Sequence, residues 1–275
     1  EQMHSGLLQP DNAPAPGYFE ARQVKEELDA SPEISNGLSD VAIYFDYDAD
    51  AAWNVQPTGE GLNYFQLIMD HYRTFRRLGL NVDFVHKNTE DFSGYKLISV
   101  VGAIHISSDL ISRISKAMAT LVFGPRTGAR VGNMQIPKNL PPQINLVKSR
   151  ILRVETLPSN VSLEIDPVGR AGRYIETIKV DNNASPYLKL KNGQVIATKE
   201  ESGVIYLASM IDQKGLTSFY QKLFKEIKLD FLLMPDGVRR RSTEIEEFWF
   251  NYNNQVVQTK IGEMKPADII RLPGV

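Results

Sequence analysis

The chain has no cysteine among its 275 residues. That excludes disulfides, thiolate zinc sites and a cysteine nucleophile, and it fits a reducing compartment. No apolar run approaches the 18 or so residues that a membrane span needs. Net charge is also scarce. Lys and Arg total 31 against 33 Asp and Glu, a formal −2, so no global field draws the chain to nucleic acid or an anionic membrane. No Gly-x-Ser-x-Gly elbow is present, and a Ser-His-Asp triad cannot be assembled from spacing. No internal repeat is visible, and no signal-peptide pattern opens the chain.

What is present is an ordinary globular composition, 42% hydrophobic and 23% charged, in a chain long enough for one large domain and something smaller. Its organising stretch is Val41-Ala42-Ile43-Tyr44-Phe45-Asp46-Tyr47-Asp48. An apolar run of five breaks into acid, the pattern of a fully buried strand with a polar tip. Leu62, Phe65, Ile68, Met69, Tyr72 and Phe75 then recur at helical spacing up to Gly79. Asn81–Val85, Lys96–Val101 and Leu121–Phe123 read as further strands, with a helix from about Ser108. Strands and helices alternating at this pitch predict a parallel α/β sheet with flanking helices, flavodoxin-like in class. Such sheets bind ligands at the carboxyl ends of their strands, which makes Asp46, Asp48 and Asp50 a first candidate site. Turn and cap residues are the plainer reading of the same aspartates. Class I glutamine amidotransferases share this type of sheet, but their chemistry needs a cysteine that the chain lacks.

Upstream, Gln9–Gly17 is a proline-rich loop and Tyr18–Ala30 a helix stopped by Ser31-Pro32. This segment has too few apolar residues for its own core, so it must pack on something else. Downstream, Gly124–Pro142 is a long glycine- and proline-rich loop, of the kind that serves function or contacts a neighbour. Asn192-Gly193 marks a hairpin between Leu188–Leu190 and Val195–Ala197. Gly215–Leu229 is amphipathic. After the turn Met234–Gly237, Val238–Arg241, Ile245–Tyr252 and Val256–Ile261 predict a small antiparallel β module, with Asn253-Asn254 turning the second pair.

Residue by residue, other chemical signals are weak. Gly124-Pro125-Arg126-Thr127-Gly128 lacks the Gly-Lys-Ser/Thr end of a phosphate loop. Arg239-Arg240-Arg241 is followed by Glu244, Glu246 and Glu247, a solvated strand face rather than a nucleic-acid patch. His71, His86 and His105 have no partner at metal-ligand spacing. No metal and no cofactor are expected.

The chain opens on Glu1-Gln2-Met3-His4-Ser5-Gly6-Leu7-Leu8, with neither an initiator Met nor an element leading into it, and reads as a fragment of a longer chain. That segment, with Asp11 and Pro16-Gly17, resembles the stretch after the last barrel strand of glycoside hydrolase family 42 β-galactosidases. Val41–Tyr47 and Leu78–Val85 resemble the first two strands of that family's trimerisation domain. Gly124–Gly128 with Ile136–Pro142 resembles its characteristic loop, and Arg240-Arg241 with Phe250-Asn251 its C-terminal β domain. One departure is Lys116–Thr120, which runs straight into the strand where the family has a Gly-Gly pair.

The resemblance implies three parts: residues 1–38 as barrel tail and linker, 39–234 as an α/β trimerisation domain, and 235–275 as a C-terminal β domain. It implies a homotrimer whose trimerisation domain helps enclose the neighbour's active site. It also implies a retaining hydrolase of terminal β-D-galactosides, located in the cytoplasm. Retention needs two carboxyl groups roughly 5–5.5 Å apart, and the family's pair lies in the barrel, so no catalytic residue is expected in this chain. Glu1 and His4 match the family's Glu-x-x-His, whose side chains bond galactose hydroxyls, a task suited to a carboxylate acceptor and an imidazole. The competing reading is a stand-alone flavodoxin-like module that binds a small molecule without catalysis.

Overall fold

The computed structural model describes residues 6–31, 37 and 39–274. Pro16 starts the first helix, α1 (Pro16–Asp29), where its missing N–H costs nothing. None of the side chains of α1 is buried, and Phe19, Val24 and Leu28 are exposed. This is the segment expected to need a further packing partner.

The α/β unit begins with β1 (Val41–Tyr44), α2 (Tyr47–Val55), α3 (Tyr64–Arg77) and β2 (Val82–Val85). It continues with β3 (Leu97–Val100), α4 (Ser108–Ser115) and β4 (Thr120–Phe123). All four residues of β1 are buried, as its unbroken apolar run requires. Asn63 caps α3 by accepting from the Gln66 N–H at 2.9 Å, and Gly79 ends it with φ +72°, a conformation that glycine adopts without strain.

After a long loop come β5 (Arg150–Thr156), β6 (Ser162–Asp166), β7 (Arg170–Lys179), β8 (Ala184–Leu190) and β9 (Val195–Glu200). Then follow β10 (Ile205–Leu207), β11 (Ser209–Ile211) and α5 (Gln213–Glu226). The expected parallel sheet is only half of what forms. Strands β2-β1-β3-β4-β10 are parallel, and β9, β8, β6, β7, β11 and β5 extend them antiparallel into an eleven-stranded mixed sheet. Connection length is the physical reason. Asp181–Asn183 and Lys191–Gln194 are too short to carry a crossover helix, and short turns join antiparallel neighbours. The Asn192-Gly193 hairpin forms as expected, with Gly193 at φ +89°.

Strand residues alternate between two cores. Val41, Ile43, Leu97, Val122 and Ile205 face α3 and α5, while Ala42, Tyr44, Ile98, Phe123 and Tyr206 face α4 and the long loop. The first core closes on an aromatic cluster, with Phe75 of α3 4.5 Å from the Tyr220 ring of α5 and 6.0 Å from Phe224.

The last part holds β12 (Val238–Ser242), β13 (Glu246–Asn251), β14 (Val257–Thr259), β15 (Gly262–Met264) and β16 (Ile269–Pro273) around a separate small core of Met234, Val238, Trp249 and Met264. The turn expected at Asn253-Asn254 does not pair β13 with β14. Instead β13 lies between β12 and β16, and β14 pairs with β15. Buried Asn251 explains the detour. Its amide donates to the carbonyls of Gln255, Met264 and Lys265, binding the returning chain where a hairpin ladder would otherwise run.

Phe75→Ala is expected to cost about 3–5 kcal/mol in urea unfolding. Met118→Ala, at a fully exposed position, should stay within about 0.5 kcal/mol of the parent.

Candidate functional site

β1 is flanked by β2 on one side and β3 on the other, so the chain changes direction across the sheet there. A crevice opens outside the carboxyl ends of strands at such a point. Here it is a cleft of about 560 Å³, walled by Tyr44, Asp46, Ala52 and Val55, by Ile104 to Ser107, and by Gly132 and Met134 of the long loop.

The acidic tip is spent on structure. Asp46 is the N-cap of α2, accepting from the Asp48 N–H at 3.0 Å, while its own N–H donates to the Tyr64 hydroxyl at 3.1 Å. Asp48 pairs with Lys87, and Asp50 accepts from Asn54 at 3.3 Å. Tyr47–Val55 is thus a helix where the sequence pattern predicts only an acidic strand tip. Burial, reinforced by Asp46, pushes the Tyr44 hydroxyl above its usual range. Among the described residues no group of three or more His, Asp or Glu could hold a metal ion.

The histidines are apart. His71 is buried on α3, its Nδ1 2.7 Å from the Tyr220 hydroxyl and 3.5 Å from Ser99 Oγ, and burial lowers its pKa to about 3, so it stays neutral. His86 accepts from the Asn88 N–H, and His105 contacts the Arg130 carbonyl.

The loop after β4 is fixed by Glu176, a buried carboxylate in β7. It accepts from the Arg126 N–H at 3.0 Å, the Tyr174 hydroxyl at 3.2 Å and the Tyr206 hydroxyl at 2.8 Å. Arg126 has φ +64° and lays its guanidinium 4.2 Å from the centroid of the Trp53 ring, donating to the Gln56 carbonyl at 2.9 Å. The Trp53 indole N–H donates to the Gly102 carbonyl at 2.8 Å, and Thr127 Oγ1 donates to the Val100 carbonyl at 3.0 Å. Gly124 is required by close packing, because a Cβ there would lie 2.4 Å from Val101 Cγ1. Gly124–Gly128 is therefore a structural knot, in which the arginine is held through its Nη2 and its ring contact while its buried Nη1 has no hydrogen-bond partner among the described residues. The sequence offered one signal for Glu176, a carboxylate inside the apolar run Tyr174–Ile178. Burial raises its pKa to about 7, against the donors that favour the anion.

Beyond the Asp48–Lys87 ion pair lies a second cleft of about 550 Å³, lined by Phe45, Tyr47, Phe65, Phe84 and His86 to Asn88. It sits at β2, the edge strand of the sheet. A third cleft, between α3 and the C-terminal module, gathers Arg73, Arg76, Arg239 and Arg241. The arginine run is partly structural and not simply solvated. Arg76 donates to the Arg240 carbonyl at 2.7 Å, and Arg240 donates to the Gly79 carbonyl and pairs with Glu247 at 3.2 Å. Glu1 and His4 lie outside the described residues.

Comparison with known proteins places this architecture. The family profile described as "Beta-galactosidase trimerisation domain" matches residues 39–230. The chain is 34% identical over 267 residues to the β-galactosidase BgaA of a Thermus species, covering 96% of this chain and 41% of that protein. It is likewise 34% identical over 268 residues to a Thermus thermophilus β-galactosidase, with the same coverage. The crystal structure of the β-galactosidase from the psychrophilic Marinomonas ef1 superposes with a TM-score of 0.92 at 29% identity, over 100% of this chain and 45% of that one. The chain thus spans about two fifths of the length of the curated relatives it matches.

Glu176 gives a pH signature. A carboxyl whose folded pKa (about 7) exceeds its unfolded one (4.5) favours the native state fully below about pH 4.5, and this contribution is lost as pH rises through about 7. The span corresponds to about 3 kcal/mol. Chemical unfolding followed across that window should show the slope in the parent, and Glu176→Gln should flatten it.

Proposed function

The chain belongs to the β-galactosidase trimerisation-domain family of glycoside hydrolase family 42, and from that membership we propose that it is the assembly portion of a retaining β-galactosidase that hydrolyses terminal β-D-galactosides. The observation that carries this reading is the trimerisation-domain match across residues 39–230. Identity of 34% with named β-galactosidases over 96% of the chain supports it. Residues 1–38 are the tail of the catalytic barrel with its linker, 39–234 the domain that joins three copies, and 235–275 a small β domain. The exposed apolar side chains of α1 agree with a helix made to lie on a further part. The parallel half of the sheet is flavodoxin-like, a reading supported by its strand order β2-β1-β3-β4-β10.

Catalysis belongs to the barrel. Its two carboxyl groups, acid/base and nucleophile, lie outside these 275 residues, and the chain by itself is inactive. Glu1 and His4 contribute to the galactose pocket. An ionised carboxylate accepts from two neighbouring sugar hydroxyls, and the imidazole donates to or accepts from a third. The setting is the cytoplasm, which the absence of cysteine and of any membrane-spanning helix among the described residues accommodates. A stand-alone small-molecule module is disfavoured, because Asp46, Asp48 and Asp50 are engaged in capping, an ion pair and a helix-surface bond.

The purified 275-residue chain is expected to leave an aryl β-galactoside intact, and the protein extended by its barrel is expected to cleave it. In the extended protein Glu1→Gln and His4→Ala should each lower kcat/KM about 10- to 100-fold, the worth of a charge-assisted hydrogen bond of about 1.5–3 kcal/mol. Hydrolysis by the 275-residue chain would overturn the division of labour, and unchanged kinetics in both variants would remove the assigned roles.

A further inference from the structure

No part of the proposed activity uses the arginine-lined cleft between α3 and the C-terminal module. It measures about 380 Å³, toward the lower end of the range for small-molecule sites. Arg73 and Arg76 stand three residues apart on α3 and so share a face of that helix. Arg239 and Arg241 alternate on one face of β12. Guanidinium groups from a helix and a strand thus meet across one small space.

Their charges are poorly neutralised. No Asp or Glu is among the described residues that line the cleft. The acidic groups of the same region are engaged elsewhere: Asp236 with Arg77, Glu247 with Arg240 and Glu246 with Arg271. Arg73 meets Asp70 at 3.3 Å, a partly exposed pair of small worth. Arg76 and Arg239 make no ion pair among the described residues. Burial, together with the charges of Arg239 and Arg241, holds the Arg76 pKa below its usual range. An anion in the cleft would relieve that repulsion.

The donors are held ready. Arg76 donates to the Leu80 and Arg240 carbonyls, which fixes its guanidinium while further N–H groups remain. Arg239 donates only to the Val238 carbonyl. Donors that converge from two elements surround an anion rather than face it from one side. That suits a tetrahedral phosphoryl group better than a planar carboxylate, which a single guanidinium fork satisfies. Beside the arginines stand aromatic side chains. Phe250 is the cross-strand partner of Arg239, and its ring stacks on Tyr252 at 6.0 Å. The hydroxyls of Tyr72 and Tyr252, which also line the cleft, have no hydrogen-bond partner among the described residues. Ring faces and hydroxyls together suit a hydroxylated body attached to the phosphate.

We propose that this cleft binds a small phosphorylated polyol such as a sugar phosphate, with Arg73, Arg76 and Arg239 as donors to the phosphoryl group and Tyr72 beside the body. Because the site draws on α3 and β12 together, its occupant ties the C-terminal module to the α/β domain and stabilises both by mass action.

Calorimetric titration of the 275-residue chain at low salt tests this, with a hexose 6-phosphate, inorganic phosphate and the unphosphorylated hexose as probes. The ester is expected to bind most tightly, phosphate more weakly and the hexose not at all. Arg239→Gln and Arg73→Gln should each weaken ester binding about 10-fold or more, the loss of a charge-assisted hydrogen bond. Arg239→Lys, which keeps the charge and loses the fork, should fall between. Arg153→Gln, at an exposed position on β5, should bind like the parent. Saturating ester should raise the thermal midpoint of the parent more than that of Arg239→Gln. Arg73 is exposed on the surface of α3, so the unliganded transition of Arg73→Gln should match the parent's. An ester that does not bind refutes the site. Binding that neither glutamine variant weakens places the ester elsewhere and refutes it equally. Phosphate bound as tightly as the ester overturns the part given to the tyrosines, and citrate bound more tightly than either overturns the choice of a phosphoryl group.

Discussion

One buried carboxylate sets the shape of the face that matters here. Glu176 collects a backbone N–H and two tyrosine hydroxyls within hydrogen-bond distance, from three different parts of the chain. Left unpaired, a buried carboxylate costs several kcal/mol. The strands that present those donors are therefore held to it, and so is the turn at Arg126. From that turn the constraint passes outward. The guanidinium stacks on Trp53, Trp53 bonds the backbone after β3, and Gln56 at the end of α2 is tied to the same arginine. The wall of the switch-point cleft follows from this chain of contacts. The loop adds its own backbone ties to the segment after β3, the Gly128 N–H donating to the Ala103 carbonyl and the Arg130 N–H to the Ile104 carbonyl, each at 2.9 Å.

Much of the framework was legible in the sequence because burial was nearly total. β1, β3 and β4 are unbroken apolar runs, and α3 and α5 carry clean helical stripes. What escaped had physical causes. α2 begins on Asp46, and an aspartate that caps a helix is indistinguishable in sequence from one that ends a strand. Of the antiparallel half, the Asn192-Gly193 hairpin was legible; the rest was hidden because the pairing of β5, β6, β7 and β11 joins strands distant in sequence, which no local pattern encodes. In the C-terminal module Asn253-Asn254 is a reasonable turn signal, but the buried amide of Asn251 two positions earlier decides the path. Glu176 lies inside an apolar run, which hints at burial, but the donors that meet it come from distant segments and follow only from the fold. Function was the least legible: no spacing in the chain encodes sugar hydrolysis, and the reading of Glu1 and His4 came from family resemblance alone.

The acidic tip shows how position and chemistry can part. Asp46, Asp48 and Asp50 sit where an open α/β sheet binds its ligands, and the cleft is there. Yet each aspartate has a neighbour that accounts for it. What remains unaccounted for at this face is apolar: Tyr47, Val55, Phe65 and Phe84. A scaffold whose ligand-binding end carries greasy side chains and no free polar cluster is suited to protein contact.

Hydrogen exchange on the assembled and the diluted chain probes this claim at the level of the backbone, because amides slow down where a contact excludes water and restrains opening. Assembly is predicted to add protection within residues 39–230, the span of the trimerisation-domain match, and to leave the C-terminal module unchanged. Protection confined to the C-terminal module, with residues 39–230 exchanging equally fast in both states, would contradict it.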